Sequence, residues 1–204
     1  MASAKPVLLL VLMFLLTACA SAPPRNTGNI CSIFEDRRAW FTAAQRTEER
    51  WSVPIPVTMA FIYQESGFRK RARPPRTRIF GFIPGPRPSD AFGYAQALDS
   101  TWDDYQQATG RWAARRSDFG DAVDFIGWYS SNSYRINGIR RDDAYSLYLA
   151  YHEGNAGFTR RTYEGKGWLI DVANKVQANT NLYLRQLGQC ENELGKGWFR
   201  RLFS

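Results

Sequence analysis

The stretch FIYQESGF, residues 61–68, places a single carboxylate at the point where an apolar helix should end. Residues 54–64 are mostly apolar, with prolines in the first turn, and this pattern predicts a short helix. Ser66 and Gly67 predict the end of that helix, so Glu65 would lie on its last turn among aromatic side chains. A carboxylate does not normally end such a segment, which makes Glu65 a candidate for acid–base chemistry. An ordinary surface glutamate in a C-terminal turn is the alternative.

Other residue types that carry chemistry are scarce in this chain. His152 is the only histidine, which argues against a Ser-His-Asp enzyme and against a zinc enzyme. The chain has three cysteines, and neither a CxxC pair nor a cluster of histidines accompanies them. We therefore expect no metal site and no cofactor.

The N-terminus has the pattern of an export signal, with Lys5 followed by an apolar run over residues 7–16. That run is too short to span a membrane and ends in small residues, as cleaved signals do. The sequence LTAC at residues 16–19 resembles the bacterial lipoprotein box, which implies that Cys19 is acylated and becomes the mature N-terminus. Ala20, in place of an aspartate, favours the outer membrane by the same resemblance, on its periplasmic face. A plain secretory signal with an incidental cysteine is the alternative.

Export places the two remaining cysteines, Cys31 and Cys190, in an oxidising compartment. We expect them to form one disulfide that joins the start of the folded part to its last helix. Closing so long a loop would stabilise the fold by roughly 4–5 kcal/mol in the chain-entropy description. Two buried free thiols are the alternative.

The charge of the chain favours anionic partners. The formal net charge is +8, or +7 once Lys5 leaves with the signal. Nucleic acid, anionic lipid and the carboxylate-rich cell wall all suit such a charge. An exported, lipid-anchored protein seldom meets nucleic acid, so we expect the wall and the bilayer as partners and no nucleic acid.

The elements that position these residues are predicted to be helices. Alternating strand patterns are almost absent, so the fold class is mainly α, a single domain of several helices. The helical patterns cover residues 33–50, 54–64, 101–116, 121–134, 142–153 and 168–187. The predicted domain boundaries are a signal peptide at 1–18, a lipid-anchored tether at 19–30, the folded domain at 31–192 and a basic aromatic tail at 193–204.

Residues 69–90, RKRARPPRTRIFGFIPGPRPSD, interrupt the helical pattern. Their prolines exclude a regular helix or a central strand, which predicts a long ordered loop with at most a small hairpin. The interleaved Ile79, Phe80, Phe82 and Ile83 favour packing against something. The arginines from 69 to 87 suggest a role in binding carboxylates, and a solvated charged loop is the alternative.

Three segments, taken in order, resemble the three motifs of soluble lytic transglycosylases of the SLT type, which have a lysozyme-like helical fold. The segments are FIYQESGF, DAFGYAQALDST and LAYHEGNAGF, and the resemblance covers residues 52–187. The positions that fit the first two motifs are Glu65, Ser66, Phe68, Ala91, Gly93, Gln96 and Thr101. Tyr94 and Ala95 replace the usual Leu and Met of the second motif. The third motif departs at His152, where the family has Asn.

The resemblance implies a reaction that needs one acid. Ordinary glycosidases use two carboxylates, but here the 6-hydroxyl of N-acetylmuramic acid (MurNAc) would attack its own anomeric carbon. Glu65 would protonate the glycosidic oxygen and then take the proton of that hydroxyl. Tyr151 would hydrogen-bond Glu65 and orient it. The other substrate-binding positions implied are Ser66, Gly93, Tyr94, Gln96 and His152. A satisfied or surface histidine is the alternative for His152.

These features predict a monomeric peptidoglycan lytic transglycosylase that cleaves the β-1,4 bond between MurNAc and N-acetylglucosamine (GlcNAc). A lysozyme-like muramidase, which would use water, is one alternative, and Glu153 would have to lie in the cleft for it. A catalytically inactive peptidoglycan-binding lipoprotein is another. A structural envelope protein that links membrane and wall by charge is a third.

Overall fold

The computed structural model describes residues 22–202, with side chains up to residue 195. The predicted signal peptide and Cys19 lie outside these residues. Within them the chain forms seven helices and one two-stranded hairpin, which confirms the predicted mainly α, lysozyme-like fold with a small hairpin in the Pro-rich region. The elements are α1 (Ile30–Asp36), α2 (Arg38–Trp51), α3 (Ile55–Ser66), β1 (Arg78–Ile79), β2 (Ile83–Pro84), α4 (Asp99–Thr109), α5 (Phe119–Asn137), α6 (Ala144–Thr159) and α7 (Gly167–Leu202).

Helix α3 is the centre of the core. Every residue from 55 to 62 is buried, so this helix is covered on all sides, by α2, α5 and α7 among others. Pro54 and Pro56 lie at its start, where a proline costs no intrahelical hydrogen bond. Because the helix is covered along its body, only its C-terminal turn reaches the surface, and that turn carries Glu65.

Helix α7 packs along α3, α6 and α1 and contributes the buried Leu169, Ala173, Val176 and Tyr183. A disulfide joins Cys31 of α1 to Cys190 of α7 across 159 residues of sequence. Although α7 has 36 residues, neither it nor any other helix of the described residues is apolar over a length that could cross a bilayer. The helix continues past residue 192, so the predicted boundary of the tail coincides with no break in the backbone.

A buried carboxylate connects three helices beside the core. Asp124 of α5, 5% exposed, accepts hydrogen bonds from the Trp51 Nε1–H (2.9 Å) and the Tyr105 hydroxyl (2.6 Å). Its Oδ2 also lies 3.3 Å from a guanidinium nitrogen of Arg50 and 3.5 Å from one of Arg111. Two cations and two neutral donors therefore compensate the cost of burying this charge.

Several predicted helix ends differ from the observed ones for reasons of backbone conformation. The predicted helix over 33–50 is divided into α1 and α2 by Arg37, whose φ and ψ (−137°, 66°) are not helical. The helix predicted over 101–116 ends at Thr109 because Gly110 adopts a left-handed conformation, φ 70°. In α6 the chain continues beyond the predicted end at residue 153, with a kink at Gly154.

Candidate active site

Glu65 is held at the end of α3 by the way that helix terminates. Gly67 is left-handed (φ 56°), and its N–H donates to the Tyr63 carbonyl at 2.9 Å. Phe68 is also left-handed (φ 61°), although it is not a glycine. This conformation costs free energy, and Phe68 is fully buried with its ring against Trp40 and Tyr63, at centroid distances of 5.8 and 6.1 Å. Packing of Phe68 therefore fixes the turn that presents Glu65.

A cavity of about 580 Å³ opens beside the half-buried Glu65. Its lining residues are Tyr63, Gln64, Glu65, Ser66, Gly67 and Arg69 on one side and Lys175, Ala178 and Asn179 of α7 on the other. Among these lining residues Glu65 is the only acid. The wall that α7 contributes was not predicted from the sequence, although Lys175 and Asn179 follow the spacing of one helical turn.

The carboxyl group of Glu65 is suited to hold a proton near neutral pH. Burial raises its pKa to about 7, because the charged form loses hydration. A hydrogen bond from the Tyr148 hydroxyl has the opposite, smaller effect and lowers the pKa. Tyr148 is 4% exposed, and its ring meets Phe61 edge-to-face at 5.3 Å. Desolvation is thus the larger cause, and the apolar site keeps Glu65 available as an acid.

The residue that hydrogen-bonds Glu65 is Tyr148, and the expectation that Tyr151 does so is corrected. The Tyr151 hydroxyl donates instead to the backbone carbonyl of Ala95 at 2.5 Å. Both tyrosines lie on α6 three residues apart and share one face, so the packing of α6 decides which hydroxyl reaches the carboxyl. Tyr151 stays close enough that the negative charge of Glu65 raises its pKa, after burial as the larger cause. It connects the third motif to the second.

The second motif forms a compact turn against the basic segment. Gln96 has a left-handed backbone (φ 48°), and its side-chain amide donates to the Ala72 carbonyl (3.0 Å) and the Gly93 carbonyl (2.8 Å). Gly93 has φ 80°, and a Cβ there would overlap the Arg116 carbonyl. The close approach that requires glycine at position 93 is therefore made by the protein's own backbone.

The remaining predicted site residues lie in different surroundings. Ser66 borders the cavity but is 1% exposed, and its hydroxyl donates to the Ile62 carbonyl at 3.1 Å. Tyr94 is 7% exposed and packs edge-to-face on Trp40 at 5.6 Å, which places it in the core and away from the cavity lining. His152 is exposed and meets the Trp168 ring at 5.1 Å. The structure thus brings Glu65 and Ser66 to the cavity and leaves Tyr94 and His152 outside its lining.

Glu153, an acid of the third motif, takes part in a cluster of polar side chains that is separate from the cavity of Glu65. Its side chain is only 5% exposed. The Lys166 ammonium lies 2.7 and 2.9 Å from its two carboxylate oxygens, and the Thr162 hydroxyl and His152 Nδ1 also contact it. The hydrogen bond from Lys166, then that from Thr162, lowers the pKa of Glu153 to about 2. This carboxylate is charged, paired and absent from the cavity lining.

A second cavity, of about 490 Å³, adjoins the first through the shared residue Arg69. It is lined by Arg69, Lys70, Arg71, Ala72, Arg73 and Arg87. We call it the basic cavity. The Ala72 carbonyl, which accepts hydrogen bonds from the Gln96 side chain and the Gly93 N–H, lies in the same segment, so the second motif holds the lining of the basic cavity in place. In the part of the chain that the structure describes, no group of three or more His, Cys, Asp or Glu side chains is placed to hold a metal ion.

A helical domain whose central helix ends in one desolvated glutamate, facing an open cavity, has the architecture of a lysozyme-like glycan-cleaving domain. The chain belongs to the transglycosylase SLT domain family, since the sequence model of that family matches residues 7–190. Membership assigns the protein to the lytic transglycosylases, which act on peptidoglycan. A search of curated protein sequences found no match to the chain.

Proposed function

We propose that this protein cleaves the β-1,4 bond between MurNAc and GlcNAc and forms a 1,6-anhydro-MurNAc end, with Glu65 as acid and then as base. The protonated Glu65 carboxyl donates to the glycosidic oxygen as the bond from that oxygen to the anomeric carbon breaks. The 6-hydroxyl of the same MurNAc then bonds to the anomeric carbon. The Glu65 carboxylate takes the proton of that hydroxyl, which regenerates the carboxylic acid, and no water is consumed.

The observation that carries this proposal is the environment of Glu65. A pKa of about 7 leaves the group able to give a proton and to take one back at neutral pH. Its cavity has room for a glycan, and its lining supplies hydrogen-bonding side chains in Gln64, Lys175 and Asn179. When Glu65 becomes charged after its first proton transfer, the Tyr148 hydroxyl stabilises the carboxylate.

The position of Glu153 argues against a hydrolase with two carboxylates. Such an enzyme needs a second carboxylate within about 10 Å of the first, on the opposite side of the sugar, to attack or to activate water. Glu153 is held by Lys166 and does not line the cavity of Glu65. A substrate that brings its own nucleophile removes the need for that second group.

The substitution Glu65→Gln tests the catalytic role. It keeps the shape of the side chain and removes the transferable proton, so release of muropeptides from purified peptidoglycan should fall by about a hundredfold or more. Glu49→Gln, on the exposed end of α2, is the matched control and should retain activity. Equal, measurable release by the Glu65 variant and the parent would show that Glu65 is not the catalytic acid, and no release by either protein would support the inactive wall-binding lipoprotein. The mass of the parent's product separates the reactions, since the anhydro product is one water lighter than a hydrolysis product.

We further propose that the basic cavity binds the carboxylates of the peptide stems. Arginine side chains suit carboxylates because the guanidinium can donate two parallel hydrogen bonds. The double substitution of Arg71 and Arg73 by glutamine should slow cleavage of strands that carry stems and leave the cleavage of stem-free strands unchanged. Equal effects on both substrates would place these arginines in general glycan binding.

We also propose that the protein is a monomer anchored in the outer membrane through an acylated Cys19, on the periplasmic side. The anchor should disappear in Cys19→Ser, which cannot form the thioether to diacylglycerol. Metabolic labelling with a radioactive fatty acid measures this directly. Label that persists in the variant would contradict the proposal.

A further inference from the structure

The hairpin of β1 and β2 exposes an unusual apolar tip. Residues 79–83, IFGFI, contain no polar side chain. The exposed fractions are 45% for Ile79, 85% for Phe80, 75% for Phe82 and 44% for Ile83. The sequence predicted that these residues would pack against something, but the described residues supply no cover for them. Large contiguous apolar groups that remain in water usually mark a contact with a further surface.

The tip belongs to a hairpin that is paired along its strands and closed at its base. Ile79 pairs with Ile83 across the two short strands. Below them the Thr77 N–H donates to the Pro86 carbonyl at 3.0 Å, and the Gly85 N–H donates to the Thr77 carbonyl at 2.7 Å. Gly85 is buried, and a Cβ there would overlap the Thr77 hydroxyl, so glycine allows the two arms to close at the base. The tip is therefore part of a folded hairpin.

The surroundings of the tip are cationic. Between residues 69 and 87 the chain has seven basic residues and no acidic one. Arg76 and Arg78 lie beside the apolar tip, are exposed, and line neither of the two cavities. One guanidinium nitrogen of Arg76 donates to the Gly85 carbonyl at 3.3 Å. The other N–H groups of Arg76, with those of Arg78, remain for a ligand other than the one that the basic cavity takes. An anionic surface is complementary to this charge.

We propose that this hairpin is a second membrane contact, in which the apolar tip enters the interface of an anionic bilayer while Arg76 and Arg78 pair with lipid phosphates. Apolar side chains at the level of the acyl chains, with basic residues at the level of the headgroups, are the arrangement that interfacial membrane binding requires. Prolines at 84 and 86 also remove two backbone donors that would otherwise lose water on insertion.

A glycan fits the tip less well than a bilayer does. Sugar hydroxyls need both donors and acceptors beside an aromatic ring; residues 79–83 offer neither, and the flanking Arg76 and Arg78 side chains offer donors only. The two isoleucines have no flat face on which a sugar could stack. The proposed insertion depends neither on catalysis by Glu65 nor on acylation of Cys19, because it uses only the hairpin and its arginines.

Hydrogen exchange of the full chain, measured by mass spectrometry on peptides covering residues 77–86, tests the proposal. The protein is compared in solution, with phosphatidylcholine vesicles, and with vesicles that also contain phosphatidylglycerol. We expect exchange to slow several-fold on the anionic vesicles and to recover at high salt. Burying each phenylalanine ring should shift the insertion equilibrium by roughly tenfold or more. The double variant of Phe80→Ser and Phe82→Ser should therefore lose the protection.

A matched control removes exposed apolar side chains elsewhere. Ile136 is 63% exposed and Leu184 58% exposed, and the double variant of Ile136→Ser and Leu184→Ser should keep the protection of the hairpin. Because the readout is local to residues 77–86, attachment through the N-terminus does not produce it. Unchanged exchange on anionic vesicles would overturn the proposal. Protection by purified peptidoglycan strands in place of vesicles would also overturn it and assign the tip to glycan binding.

Discussion

Burial of Glu65 should make the stability of the protein depend on pH in a way that one substitution removes. The pKa of Glu65 in the folded protein is about 7, against 4.5 for an ordinary glutamate. Because the folded value is raised, the folded state is favoured while Glu65 is protonated. This contribution is fully present below pH 4.5 and is lost as the pH rises through about 7. Ionising Glu65 therefore destabilises the fold, by about 3 kcal/mol once the loss is complete.

The substitution Glu65→Gln should remove this penalty, because glutamine stays neutral and can still accept the hydrogen bond of Tyr148. We expect the variant to be more stable than the parent by less than about 1 kcal/mol at about pH 5, and by about 3 kcal/mol at about pH 8. Urea unfolding at both pH values, with the disulfide intact, measures the difference. The result is a gain in stability for a variant that should be inactive, as is common where a buried charge serves catalysis.

The exposed Glu49 provides the control for this experiment. Glu49→Gln removes the same charge from the surface and should change stability by no more than about 0.5 kcal/mol at either pH. A difference between Glu65→Gln and the parent that is the same at both pH values would refute the reasoning. So would a variant that is less stable than the parent at the higher pH.

Three further predictions concern the site and the fold. Activity should fall as the pH rises through about 7. The substitution Tyr148→Phe should move that decline to higher pH, because the hydrogen bond that lowers the pKa of Glu65 is lost. A pH profile of muropeptide release checks this, and an unmoved profile would contradict it. Asp124→Ala should destabilise the fold by about 3 kcal/mol in urea unfolding, since it leaves two arginines and two neutral donors without their acceptor; a loss below about 1 kcal/mol would show that water replaces the carboxylate. Reduction of the Cys31–Cys190 disulfide should cost about 2–5 kcal/mol, given the 159-residue separation, and an unchanged urea midpoint in reductant would contradict it.

Helix α3 shows how much of the site the sequence could predict. Its apolar run, its prolines and Gly67 are local signals, and they predicted a helix over 54–64 that is observed over Ile55–Ser66. The position of Glu65 on the last turn follows from the same signals. The desolvation of Glu65 does not follow from these local signals, because the groups that cover the carboxyl come from other parts of the chain.

The sequence indicated Tyr151 as the hydrogen-bond partner of Glu65, whereas the structure has Tyr148, and the difference has a comparable physical cause. The third motif specifies a tyrosine-bearing helix near the acid, and both residues lie on the same face of it. Which hydroxyl reaches the carboxyl depends on how far α6 is rotated and shifted against α3, and local sequence does not determine that. The wall formed by Lys175 and Asn179 was missed for the same reason, since α7 lies more than a hundred residues away along the chain.

Glycines account for two of the errors in helix ends. Gly110 ends α4 earlier than the apolar pattern predicted, and its left-handed backbone is visible only in the structure. Gly154, with φ 74° and ψ 155°, bends α6 within the third motif, in a conformation that side chains with a Cβ rarely adopt. Such glycines are visible in the sequence, but a glycine alone does not distinguish the end of a helix from a kink within it.

The origin of the oxygen in the product tests the central proposal most directly. Peptidoglycan is digested by the parent enzyme in water enriched in heavy oxygen, and the new MurNAc ends are analysed by mass spectrometry. If the 6-hydroxyl of MurNAc is the nucleophile and Glu65 its acid and base, the ends should carry the anhydro mass and no heavy oxygen. Heavy oxygen at the anomeric carbon would show that water attacks, and the proposed use of a single carboxylate would be wrong.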